Sequence, residues 1–166
     1  MTLALKSKIL NLKSGFTLVE LLVVISIIGI LAALSLVSFT GAQRQARDSQ
    51  RKSDLKQYQA ALESFANRSN GFYPSYTTTI AASGSLCTSL GTSISGCLED
   101  PRNDDDASFV YNYQSDGTGA GATTGAKYVL WAKIENTADY WVVCSAGENG
   151  RAAQAGFSVS GGNCPL

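Results

Sequence analysis

Ser14-Gly15-Phe16-Thr17-Leu18-Val19-Glu20, running into Leu21–Ala42 (LLVVISIIGILAALSLVSFTGA), is the stretch on which the reading of this chain turns. From Leu21 to Ala42 there are 22 consecutive uncharged residues, mostly Leu, Val, Ile and Ala. As a helix they would span roughly 33 Å, enough to cross the hydrocarbon of a bilayer. A cleaved secretory signal carries a shorter apolar region and a small-residue cleavage site after it. Here the run is longer and leads straight into a polar helical pattern, so a retained segment is expected. Glu20 interrupts the apolar character near its start, where an ionisable group needs either water or a partner. Read alone, Glu20 fits an acid at the membrane edge.

The surroundings of Glu20 add to that. Gly15-Phe16-Thr17-Leu18-Val19-Glu20 resembles the prepilin motif: a glycine, an aromatic, three further residues and a glutamate, preceded by a lysine-bearing leader and followed by an apolar run. The motif and its run are highly specific together. The chain is thereby similar to the type IV pilin and type II secretion pseudopilin family. The resemblance implies cleavage after Gly15 by a membrane prepilin peptidase and N-methylation of Phe16. It also implies a single-pass inner (cytoplasmic) membrane precursor with a cytoplasmic N-terminus. Identical or related subunits then polymerise on an assembly platform, driven by an ATPase motor, into an extracellular or periplasmic filament. Glu20 would neutralise the new terminal amine, which has a reference pKa near 8, in its own chain or a neighbour's. An unpaired charge among packed apolar helices would cost several kcal/mol, which helps set subunit register. Gly29 permits close approach of another helix or local unwinding. Many members of the family have a helix-bending proline where this chain has Val37. Against the expected orientation, more basic residues follow the apolar run (Arg44, Arg47, Arg51, Lys52, Lys56) than precede it (Lys6, Lys8, Lys13).

Beyond Gly41 the residues are good helix formers without proline or glycine, and Leu55, Tyr58, Leu62 and Phe65 recur at helical spacing. One helix is expected from Phe16 to about residue 69, ended by Asn70-Gly71, with the charges from Arg44 to Asp54 on a solvated face or, in a filament, in intersubunit ion pairs. Residues 70–106 read as loop-rich, and residues 107–166 as an antiparallel sheet. Strands are expected at 107–114, 126–134 and 139–144, with a short edge at Phe157-Ser158-Val159 and a glycine-rich hairpin connection at 116–121. The domains are thus a leader (1–15), a transmembrane or filament-core half-helix (16–42) and a soluble domain (43–166). The fold class is α+β, a long helix packed on a small antiparallel sheet, which is the pilin architecture. Tyr73-Pro74 soon after the helix resembles the same feature in the major pseudopilin of type II secretion.

The remaining residues narrow the chemistry. Cys87, Cys97, Cys144 and Cys164 are spaced too widely for a structural zinc site, and the chain has no histidine. Two disulfides in an oxidising compartment, or four reduced buried thiols, fit the count. Nearest-neighbour pairing is one of three connectivities. Without histidine, Ser-His-Asp and Cys-His catalysis are excluded, and no phosphate loop with its lysine is present. An enzyme is not expected. Asp104-Asp105-Asp106 and Glu148 are the calcium candidates, although the cluster lacks EF-hand spacing and the Ser145–Gly150 loop matches the calcium loop of some pseudopilins only loosely. Removing the three leader lysines leaves ten basic residues against thirteen acidic ones, giving no strong nucleic-acid signal. Three readings follow: a pilus subunit, a type II secretion pseudopilin, or a single-span membrane-anchored binding or adhesion domain.

Overall fold

The computed structural model describes residues 15–91, 94 and 96–166, and the expected leader (1–15) lies outside them apart from Gly15. The chain divides between Thr40 and Gly41 into two units. A single helix, α1 (Leu18–Arg68, 51 residues), supplies most of the described part of the first unit and the opening element of the second. Its start is a capping box. The hydroxyl of Thr17 accepts the N–H of Glu20, and the Glu20 carboxylate accepts the N–H of Thr17 in return. At its end, Asn70 adopts a left-handed φ of 54° and the N–H of Gly71 donates back to the Ala66 carbonyl at 2.8 Å. That is the six-to-one closure that stops a helix at an Asn-Gly pair.

In the second unit, α1 is followed by β1 (Tyr73–Pro74), β2 (Ile80–Ala81), a wide helical turn over Ala82–Leu86 and the one-turn helix α2 (Cys87–Leu90). Then come β3 (Asn112–Ser115), β4 (Thr123–Gly125), β5 (Tyr128–Lys133), β6 (Asp139–Cys144) and β7 (Asn149–Ala153). Five strands form one antiparallel sheet in the order β2-β3-β5-β6-β7, and β1 pairs with β4 beside it. The architecture is α+β, with a long helix against a small antiparallel sheet.

Both faces of β5 are buried over Tyr128–Ala132, which explains the apolar run there. Tyr128, Leu130 and Ala132 share one core with Leu55, Tyr58, Ala61, Leu62 and Ala66 of α1. The alternate residues Val129 and Trp131 join Val142 and Cys144 under Tyr140, Ala152, Phe157, Val159 and Cys164. The segment after β7 therefore covers the second face of the sheet.

Several boundaries differ from the sequence expectation. Residues 107–111 precede β3 rather than belonging to it. Phe157-Ser158-Val159 is a packing strap and not a strand, while the edge strand is Asn149–Ala153. Its Asn-Gly-Arg-Ala-Ala sequence has little β-propensity. The tight turn after β6, with Gly147 at φ 87°, lays it along an open sheet edge whose backbone groups pair with any returning chain. Residues 70–106 hold two strands and two helical turns, and the connection after β3 contains β4.

Candidate functional site

The apolar half of α1 is the first candidate. It is long and apolar enough to cross a membrane, and none of its most apolar window is buried. Phe16 is 85% exposed, and Leu18, Val19, Leu21, Ile25, Ile28, Ile30 and Leu31 are exposed as well. Gly29 lies in this stretch, and a Cβ built on it would meet nothing within 4 Å. Gly15 is open in the same way. Ser26, the polar residue next to Ile25, returns its hydroxyl to the Leu22 carbonyl at 2.7 Å, satisfying it within the helix.

Glu20 is the one acid of this stretch. Its Oε2 accepts both the N–H (2.9 Å) and the hydroxyl (2.8 Å) of Thr17. Thr-x-x-Glu before an apolar run is itself a capping signal legible in the sequence, and Thr17 fills its first position. The box keeps Glu20 folded against the first turn, one helical turn from Phe16. Both bonds to Thr17 use donors that stay in the chain on the C-terminal side of the Gly15–Phe16 bond.

The second unit carries a different kind of site, and it corrects the expectation of a solvated charged face between Arg44 and Asp54. Asp48, Arg51 and Asp54 are buried. The guanidinium of Arg51, with no exposed surface, grips Asp100 through two parallel bonds of 2.6 and 2.9 Å. It also pairs with Asp48 at 2.8 Å and Glu135 at 2.8 Å, and stands 4.7 Å above the Phe109 ring. Arg47 takes both oxygens of Glu135 at 2.7 and 2.6 Å. Asp48 in turn accepts the backbone N–H groups of Glu135 and Asn136, and the hydroxyl of Tyr111 donates to Asp54 at 2.7 Å. These bonds tie α1 to the loop around residue 100 and to the β5–β6 turn. Paired acids and bases of this sort tolerate burial only when every member is satisfied.

The electrostatics follow the geometry. Bonds from Arg47 and then Arg51 hold the Glu135 carboxyl down at about 2, against the opposing effect of burial. Burial opposes the charge on Arg51, but the surrounding carboxylates outweigh it and raise its pKa. Burial also pushes the Tyr58 hydroxyl up to about 12. Glu63, which accepts the hydroxyls of Tyr73 and Tyr128, sits at the opposite end of the same core.

The cysteines form two bridges, Cys87–Cys97 with Cα atoms 5.6 Å apart and Cys144–Cys164 at 5.7 Å. The first closes the loop after α2 and the second fastens the strap over the outer face of the sheet. The calcium candidates do not come together. Asp104 and Asp105 are exposed on one loop, and Asp106 accepts the Ser108 N–H. Glu148 stands on the β6–β7 turn. Its one cluster among the described residues is with the sulfurs of Cys144 and Cys164, which are spent in a disulfide and offer no thiolate.

Comparison with known proteins bears on the N-terminal stretch. The model of the prokaryotic N-terminal methylation motif matches residues 10–36. The type IV major pilin protein PilA of Myxococcus xanthus is 45% identical over 51 residues, which cover 31% of this chain and 23% of that one. The type II secretion system core protein G of Pseudomonas aeruginosa is 43% identical over 63 residues, covering 38% of this chain and 44% of that one. The chain thus spans less than half the length of the curated relatives it matches. No solved structure matches it.

Proposed function

We propose that this chain, a carrier of the prokaryotic N-terminal methylation motif with relatives among the pilins and the pseudopilins, is the structural subunit of a type IV pilus or pilus-like filament. The observation that carries the reading is the apolar half of α1, which exposes nearly every side chain and holds one acid, Glu20, at its head. Such a surface is incompatible with water over this length and requires a bilayer or other helices like itself. In this reading a prepilin peptidase cuts between Gly15 and Phe16 and methylates Phe16. The subunit waits as a single-pass membrane protein, and the helices then leave the bilayer for a filament core on an assembly platform. Glu20 trades its local Thr17 bonds for the terminal amine. The role is structural and no catalysis is assigned.

The pseudopilus of type II secretion is the second reading. It is favoured by the match to core protein G, which spans a larger share of that relative than the match to the major pilin does. The test is the mass and N-terminal peptide of the protein recovered from its own cells' membranes and sheared surface material. A chain beginning at N-methylated Phe16 supports the proposal, and Gly15→Val should leave the leader uncut and abolish filaments. A native chain still beginning at Met1, or cut beyond Ala42, overturns it in favour of an anchored or secreted binding domain. Electron microscopy then separates long surface fibres from a short periplasmic pseudopilus.

A further inference from the structure

The second unit has an open cleft of about 530 Å³ at the β5–β6 turn, lined by cations from three separate segments: Arg44 of α1, Arg102 of the loop before β3 and Lys133 at the end of β5. Among the described residues Arg44 makes no ion pair, and Lys133 has no carboxylate in ion-pair range, donating instead to the Ser108 hydroxyl at 3.2 Å. Arg102 reaches Glu135 only at 3.6 Å. Glu135, the acid in the lining, is already taken by Arg47 and Arg51. The lining therefore holds more cations than acids, with Asp106 near enough to act on Lys133 and Arg102 but in an ion pair with neither. The cleft wall also holds Thr137, whose hydroxyl oxygen is buried and has no hydrogen-bond partner among the described residues. A buried hydroxyl without a protein partner is commonly met by an ordered water, here at the cleft wall.

At the other end of β6 lies the turn Ser145-Ala146-Gly147-Glu148. Three small residues make it slim, and the Cys144 N–H to Glu148 carbonyl bond (2.9 Å) and the Cys144–Cys164 bridge fix it. Glu148 is exposed, and its carboxylate has no hydrogen bond or ion pair among the described residues. We propose that the cleft is the docking surface for a second copy of this chain, receiving its Ser145–Glu148 turn with the Glu148 carboxylate between Arg44, Arg102 and Lys133. The proposal rests on the filament reading. An open filament needs heterologous contacts, in which two different patches of one subunit meet. The cleft and the turn sit at opposite ends of a six-residue strand, as head-to-tail addition requires. Asp104 and Asp105, two and three residues from Arg102, are too close to the cleft to serve and would favour a closed pair instead.

The test is a charge swap in the full-length chain, expressed in its own cells. Glu148→Lys and the paired change Arg44→Glu with Lys133→Glu should each lower the yield of sheared filaments by at least about tenfold. Combining all three should return it to within about threefold of wild type. Undiminished filaments in Glu148→Lys, or no rescue by the combined variant when all variants melt like wild type, would overturn the proposal. So would saturable binding of citrate or pyrophosphate to the cleft together with a neutral Glu148→Lys, which assigns it to a free oxyanion. Failure of the wild type to be processed at Phe16 or to form filaments would instead strike the filament reading itself.

Discussion

Along α1 the chain breaks the usual inside–outside rule twice, in opposite directions. Between Phe16 and Leu34 large apolar side chains are left exposed, and between Asp48 and Asp54 charged ones are buried. The second inversion is resolved within the molecule, because Asp48, Arg51 and Asp54 all meet partners of suitable charge or hydrogen-bonding character. The first has no such resolution among the described residues. An inversion answered internally belongs to stability, and one left unanswered points to a partner outside, be it lipid or another subunit.

That contrast can be attacked most strongly at Arg51. Arg51→Met should cost about 3–5 kcal/mol, because Asp100, Asp48 and Glu135 would be left buried around an uncharged side chain. Denaturant unfolding of the detergent-solubilised chain measures this, and a loss below about 1 kcal/mol would break the internal account. Next comes a matched pair of apolar truncations. Leu62→Ala, in the core, should cost about 2–5 kcal/mol of stability. Ile28→Ala, on the exposed stretch, should change the same unfolding curve by less than about 0.5 kcal/mol yet reduce filament yield. Equal stability losses from both would erase the distinction between the two halves.

The pH dependence sharpens the comparison more gently. Glu135 has a folded pKa lowered from 4.5 to about 2, so its contribution is fully present above the unfolded value and disappears as pH falls through the folded one. Stability should therefore drop between about pH 4.5 and pH 2. In Glu135→Gln the overall stability is lower, and this acid-dependent part of the loss is missing. The most local effect is expected at Thr17→Ala, which removes one cap of α1 for about 1 kcal/mol. It should appear as faster hydrogen exchange of the first-turn amides, with no change in the unfolding of the second unit.

Much of the fold was readable where a local pattern repeats. The apolar run, the core stripe of Leu55, Tyr58 and Leu62, the Asn70-Gly71 stop and the strand over 139–144 are all set by neighbours in sequence. The edge strand Asn149–Ala153 was not readable, because its residues do not ask to be a strand and the open edge of β6 recruits them. Nor were β1, β2 and β4, two or three residues long and defined by pairing across large separations. The buried charges were half legible. Asp48, Arg51 and Asp54 continue the helical spacing of Leu55, Tyr58 and Leu62, so they lie on the inward face. Their partners Asp100 and Glu135 sit in loops that carry no local signal of proximity. The processing residues Gly15, Phe16 and Glu20 stood out by motif alone, whereas the cleft is assembled from segments that only the fold brings together.

The Arg51 joint also has a consequence in time. The residues that neutralise it are spread along the chain: Asp48 precedes it by three positions, Asp100 follows 49 positions later, and Glu135 later still. At synthesis rates of about 5–20 residues per second, the arginine stays hydrated for seconds after its helix has formed. The polar half of α1 is therefore kept from settling early onto the wrong surface, since a charge seated before its last partner appears would be stranded. The Arg51 joint is thus complete only once Glu135 is present.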